Sequence, residues 1–127
     1  MLEQTYLVLI VMAVLTTKHL IFDFFLQSLS QIKNKRIYGH RDGLLHAAGH
    51  AAGTCLAFAV ITPSLAVGIG IVVAEFVLHY HIDWLKEKVG EAMQLRQDQR
   101  VYWWTFGLDQ WLHQMTYIGI AAVLAAT

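Results

Sequence analysis

The chain of 127 residues is 57% hydrophobic and only 14% charged, with a mean hydropathy of +0.49. A soluble domain carries about 25% charged residues, so the deficit points to a membrane. The balance of 9 Lys and Arg against 9 Asp and Glu removes the basic footprint of a nucleic-acid binder, and the hydrophobicity excludes disorder. The single cysteine, Cys55, excludes an intrachain disulfide and a cysteine zinc site, so any metal site must be built from His and carboxylates.

Four segments approach the roughly 20 apolar residues that a membrane-crossing helix needs: residues 5–29, 44–61, 64–85 and 102–126. The first has the position of a signal peptide, but Glu3 stands where basic residues would precede one and no small-residue cleavage site follows, so it reads as a retained helix. Thr62, Pro63 and Ser64 make the only break between the second and third segments, and Pro at a helix start costs nothing because that N–H has no partner anyway. Lys33, Lys35, Arg36 and Arg41 fall in the loop 30–43, and Lys86, Lys88, Arg96 and Arg100 in the loop 86–101. The positive-inside rule places both loops in the cytoplasm and both termini outside it, with Trp84, Tyr102, Trp103 and Trp104 as anchors at the headgroup level. The predicted fold is therefore all-α, a single domain over residues 1–127 forming a polytopic membrane four-helix bundle with extracytoplasmic termini.

Each segment carries polar residues that a membrane helix would normally exclude: His19, Asp23 and Gln27; His46 and His50; Glu75, His79 and Asp83; Asp109 and His113. The spacing within each is four residues, which keeps them on one helix face, about 40° apart. Counted from the loops at about 1.5 Å per residue, Asp23, His50, His79 and Asp109 lie level, roughly 10 Å deep. His19 and His113 lie a turn deeper, His46 and Asp83 a turn nearer the loops. An ionisable residue at a membrane-helix centre costs about 2.5–3.5 kcal/mol, whereas an interhelical hydrogen bond returns about 0.6 kcal/mol. One His–Asp pair would read as glue between helices; four stripes at matched depth point to a divalent cation that neutralises carboxylates and takes imidazole nitrogens as ligands.

Gln27 and Gln110 are placed to orient a ligand by hydrogen bonding. Glu75, a turn deeper than His79, reads as a ligand, a proton carrier or a buried neutral acid, and Lys18 must snorkel or pair with a carboxylate such as Glu75. His81 lies about 200° round the helix from His79 and reads as an interface histidine, and His40, in the basic loop, as a solvated one. Lys86 can reach an anionic group at the membrane surface or serve as an ordinary anchor. Gly49 and Gly53, set among alanines, allow close backbone approach, either inside the bundle or between two copies of the chain.

The motifs HxxxDFxxQ (His19, Asp23, Phe24, Gln27), a following Lys35, His46 opening the second segment, HxxxDxxK (His79, Asp83, Lys86) and DQxxH (Asp109, Gln110, His113) resemble the bacterial and phage membrane family called domain of unknown function 3307. The chain is also loosely similar to predicted membrane-bound metal-dependent hydrolases. The resemblance runs from His19 to His113 and implies a small multi-pass protein of the bacterial inner membrane; His50 and Glu75 lie outside its motifs and enter on spacing and depth alone.

The leading expectation is a metal-dependent hydrolase acting on a lipid or lipid-linked substrate from the cytoplasmic leaflet. His19, Asp23, His46, His79, Asp83, Asp109 and His113 would hold one or two ions of Zn, Mn or Fe, the metals suited to nitrogen and oxygen donors without sulfur. His50 or Glu75 would act as general base, with Lys86 near a substrate phosphate. No HExxH, GxSxG or P-loop occurs. The alternatives are a metal-ion or proton pathway, opposed by the apolar stretches 7–15 and 118–126 that close the outer half, and a small scaffold whose metal holds the helices together. Membrane lipids are the expected partners.

Overall fold

The computed structural model describes residues 2–127 and is all-helical. Helix α1 (Leu2–Leu20) runs into a π-wound turn (Ile21–Phe25); α2 (Leu29–Asn34) is short; α3 (Arg41–Thr54) tightens into a 3-10 turn (Cys55–Ala59); α4 (Leu65–Ala92) and α5 (Arg100–Ala125) are long. The wide turn after α1 is closed by the Leu26 N–H donating to the Ile21 carbonyl at 2.9 Å, five residues back. Such turns recur at functional sites because they rotate the side chains that follow.

The sequence accounts for most boundaries. Ser28 and Gln31 form a reciprocal capping box that starts α2. Asp42 anchors that helix to α3, accepting from Ser30 Oγ at 2.5 Å and Asn34 Nδ2 at 2.7 Å. These hydrogen bonds hold its carboxyl below the usual range. Gly39 takes φ +78° in the connecting turn, where a Cβ would be strained, and its N–H donates to the Tyr80 hydroxyl at 2.6 Å. Ser64 caps α4, accepting from the Val67 N–H at 3.4 Å, directly after Pro63.

Helix α1 packs on α3 and α5, α3 on α4, and α4 on α5, which closes a ring of contacts. Gln4 Nε2 donates to the Ala125 carbonyl at 2.5 Å, so the start of α1 and the end of α5 lie together. Inside the ring the two halves differ. Toward the termini lies an apolar core of Val11, Leu15, Ala57, Ile71, Tyr117, Ile120, Ala121 and Leu124. Toward the loops the interior is polar, while Leu9, Ile10, Leu56, Ile69, Val73, Leu78, Trp111 and Ile118 stand exposed on the outside.

The helices depart from the four expected spans. Among the described residues two helices are long and apolar enough to cross a membrane, Leu2–Phe25 with 24 residues and Leu65–Ala92 with 28. The first ends near Phe25 instead of residue 29, because the chain turns at Gln27 and Ser28 to begin α2. The second segment is α-helical for only 14 residues, Arg41–Thr54, and small or polar side chains dominate it. Helix α5 has the length, at 26 residues, but Asp109, Gln110, His113 and Gln114 dilute its apolar content. The third extends beyond residue 85 to Ala92. Gly49 and Gly53 serve contacts within the chain: a Cβ at Gly49 would sit 2.9 Å from the Phe22 ring, and one at Gly53 2.8 Å from Lys18 Cδ.

Candidate metal centre

The four-residue stripes meet in three tiers. Nearest the loops are His46, Asp83 and Asp109; in the middle, Asp23, His50, His79 and His113; above them, Thr54, Glu75 and Tyr117, with Lys18 and His19 supplied by α1. All are buried apart from Asp23, whose side chain is 9% exposed.

Asp23, delivered by the π-wound turn, forms the first cluster. Its Oδ1 lies 2.9 Å from His50 Nε2 and 3.1 Å from His46 Nε2, and His46 Nε2 lies 3.3 Å from His79 Nε2. Asp83 forms the second, with Oδ1 3.3 Å from His113 Nε2 and Oδ2 3.5 Å from His79 Nε2. Asp23, His46, His50 and His79 each offer one donor atom within 4.8 Å of the others, as do His79, Asp83 and His113. His79 belongs to both groups.

These residues fit a metal ion. Donor atoms arranged tetrahedrally at about 2.0–2.1 Å from one ion lie about 3.3–3.4 Å apart, close to the separations present. The fit is carried by the Nε2 nitrogens and carboxylate oxygens; the buried polar atoms without a hydrogen-bond partner, His50 Nδ1, His79 Nδ1 and Asp109 Oδ1, are not among these donors. Charge points the same way. With neutral imidazoles, the carboxylates of Asp23, Asp83, Asp109 and Glu75 face the ammonium groups of Lys18 and Lys35, leaving two negative charges that one divalent cation would balance.

The surrounding residues hold the donors in place. His19 lies outside both groups: its Nδ1 is 2.9 Å from the Tyr117 hydroxyl, and its Nε2 faces Gln110 Oε1 at 3.0 Å and Asp23 Oδ2 at 3.2 Å. Two acceptors at Nε2 require the ring proton there, so Tyr117 donates to Nδ1 and His19 fixes the Asp23 carboxylate. Gln110 Nε2 donates to Asp109 Oδ2 at 3.1 Å. Asp109 also stands outside both groups, its Oδ1 3.6 Å from His113 Nε2. Gln27 Nε2 lies 3.1 Å from His46 Nε2.

His50 sits among the potential ligands, bonded to Asp23, and not apart as a free base. Glu75 is engaged elsewhere. Both Lys18 Nζ and the Thr54 hydroxyl donate to its carboxylate, and Lys18 Nζ also donates to the His50 carbonyl and Thr54 Oγ1, each at 3.0 Å. Lys86 lies outside the cluster, paired with Glu87 at 2.7 Å. His81 is exposed, its Nε2 3.1 Å from the Tyr38 hydroxyl. His40 is not simply solvated: it caps α3, accepting from the Asp42 N–H at 3.2 Å.

Three members were not singled out from spacing. Thr54 and Tyr117 each follow a site histidine by four residues, and continuing the stripes one step would have found them. Lys35 enters from the loop side at the end of α2 and pairs with Asp83 Oδ2 at 3.3 Å. Helical periodicity carries no signal for a contact that crosses a turn.

The fold and this centre define an all-helical protein with a buried histidine–aspartate cluster able to hold a metal ion. Residues 9–127 match the family described as "Protein of unknown function (DUF3307)", and the chain belongs to that family. No curated protein and no solved structure matches it.

Proposed function

We propose that the protein is an integral metal-binding protein of the bacterial inner membrane, a four-helix bundle with both charged loops in the cytoplasm, and that it hydrolyses a lipid or lipid-linked substrate. The observation that carries this reading is the convergence of Asp23, His46, His50, His79, Asp83 and His113 in a polar interior wrapped by exposed apolar helix faces. A soluble protein puts its apolar residues inside; here Leu9, Ile69 and Val73 face outward while Lys18 and Glu75 are buried. A divalent cation held there would polarise a phosphoryl or carbonyl oxygen and bring the pKa of a coordinated water to about 7.

The chain's own residues divide the remaining work. His19, held by Tyr117 and Gln110, positions Asp23. Asp109, whose Oδ1 is buried without a hydrogen-bond partner and stands 3.6 Å from His113 Nε2, would take the proton of the attacking water. Lys86, at the loop end of α4, meets the substrate phosphate. The apolar core beyond Glu75 favours a closed site over an ion or proton pathway.

The test is elemental analysis of detergent-purified protein beside His79→Ala and Asp23→Asn, followed by hydrolysis of phospholipid in mixed micelles with and without chelator. About one ion per wild-type chain, reduced in both variants, and a chelator-sensitive turnover lost in Asp109→Asn are expected. Absence of bound metal after reconstitution with Zn, Mn and Fe overturns the metal centre, and bound metal without turnover on any phospholipid overturns the hydrolase.

A further inference from the structure

A groove runs along the outside of the molecule between α4 and α5, in three connected stretches. The first, about 750 Å³, is lined by apolar side chains such as Leu78 and Met115 and floored at Glu75. Ile82 and Leu112 join it to a narrower stretch of about 110 Å³ that reaches Asp109. Lys86 and Thr105 join that in turn to a polar mouth of about 500 Å³, where Arg36 pairs with Glu91, Lys86 with Glu87 and Arg96 with Asp98. Through these shared residues the three stretches pass from hydrocarbon-like lining, past Asp109, to a mouth lined by three cations and two carboxylates.

We infer that this groove is a phospholipid site entered sideways from the cytoplasmic leaflet, with an acyl chain along Leu78 and Met115 and the phosphate at Lys86 and Arg96. Length agrees. Half of a hydrocarbon core about 30 Å thick is about 15 Å, or roughly ten residues of helix, and ten residues back from Lys86 is Phe76, beside Glu75; the apolar lining covers that span and continues beyond it to Val67 and Val123. Charge agrees as well: with their ion-pair partners counted, the cations at the mouth, Arg36, Lys86, Lys88 and Arg96, exceed the carboxylates Glu87, Glu91 and Asp98 by one, and Asp109 lines the stretch between headgroup and chain. A phospholipid seated this way presents its ester and phosphate bonds to the centre. The inference rests on the membrane reading above, but not on a bound ion.

Gly119 permits a direct test, since a Cβ there meets nothing within 4 Å and an α5 side chain leans toward the loop end of the helix, over Met115. Gly119→Trp therefore fills the groove from its surface. Gly107, equally open and not among the lining residues, supplies the control. Delipidated protein in detergent is titrated with dioleoylphosphatidylglycerol and with dioleoylglycerol, and binding is read by native mass spectrometry, with metal content measured on the same samples. Wild type and Gly107→Trp are expected to bind the phospholipid at least tenfold more tightly than the diacylglycerol. Gly119→Trp should lose at least tenfold and Lys86→Gln about fivefold for the phospholipid only. Equal binding by Gly119→Trp and wild type, equal binding of the two lipids, or no binding at all overturns the inference. Lipid binding in protein that holds no metal would remove the metal centre and leave this site standing. Release of the protein from membranes by carbonate washing would remove the membrane reading and this inference with it.

Discussion

Lys18 and Glu75 are the most deeply buried ion pair in the molecule, each side chain 1% exposed, and Lys18→Met isolates what that pairing contributes. Methionine nearly preserves the length and volume of lysine but offers no donor. The Glu75 carboxylate then keeps only the Thr54 hydroxyl, and the His50 carbonyl loses the ammonium that donates to it at 3.0 Å. Removing one partner of a buried pair costs about 3–5 kcal/mol, because a charge is left uncompensated, whereas removing both is often close to neutral. The double variant Lys18→Met/Glu75→Gln leaves Thr54 an acceptor and no orphaned charge. It should recover most of the loss and fall within about 1–2 kcal/mol of wild type. Unfolding in mixed detergent micelles followed by circular dichroism measures all three proteins. A single variant within about 1 kcal/mol of wild type, or a double variant no better than the single, would refute the reasoning.

Three further outcomes are expected. Gly53→Ala places a methyl 2.8 Å from Lys18 Cδ, on a side chain pinned at its far end, and 3.2 Å from the Phe22 ring; it should cost about 1–3 kcal/mol, while Gly119→Ala, facing open space, should gain up to about 1 kcal/mol, both read from thermal melts. Tyr117→Phe removes the hydroxyl bonded to His19 Nδ1 at 2.9 Å and should destabilise by about 1–3 kcal/mol with the retained metal reduced; unchanged stability and metal content would contradict the role given to His19. Because His79 stands in both donor groups, His79→Ala should abolish metal retention where His81→Ala does not, and a chelator should lower the melting temperature of the wild type but not of His79→Ala, with ligand at 100 times its Kd contributing about 2.7 kcal/mol.

Much of the centre was legible because helical geometry makes i, i+4 spacing a statement about position in space. His46 and His50, His79 and Asp83, and Asp109 and His113 each required only that their segment be helical. Depth from the loops then set Asp23, His50 and His79 level, and the approach of His50 to Asp23 at 2.9 Å follows. Partners were harder to read. Whether Asp109 joins a donor group or stands 3.6 Å from His113 depends on helix rotation by a few tens of degrees, which spacing does not encode. The π-wound turn at Ile21–Phe25 was invisible because the helix ends there, so no apolar pattern follows it to show the phase shift that an extra residue in one turn produces. The pairing of Lys18 with Glu75 was foreseeable from cost alone, because a lysine at that depth needs an anion.

The donors also arrive in chain order. Asp23, His46, His50 and His79 all precede the end of α4 at Ala92, so on the membrane reading the four-donor group can assemble while α5 is still being synthesised, at about 5–20 residues per second. Helix α5 is then the last to insert and, with Asp109, Gln110 and His113 along one face, a poor candidate for crossing hydrocarbon alone. Its reception is prepared in advance: Asp83 waits for His113 and His19 for Gln110 and Tyr117. On that same reading biogenesis becomes a templating problem, in which the earlier helices build the polar surface that draws in α5, and a defect in Asp83 or His19 would appear first as a C-terminal helix left outside the membrane.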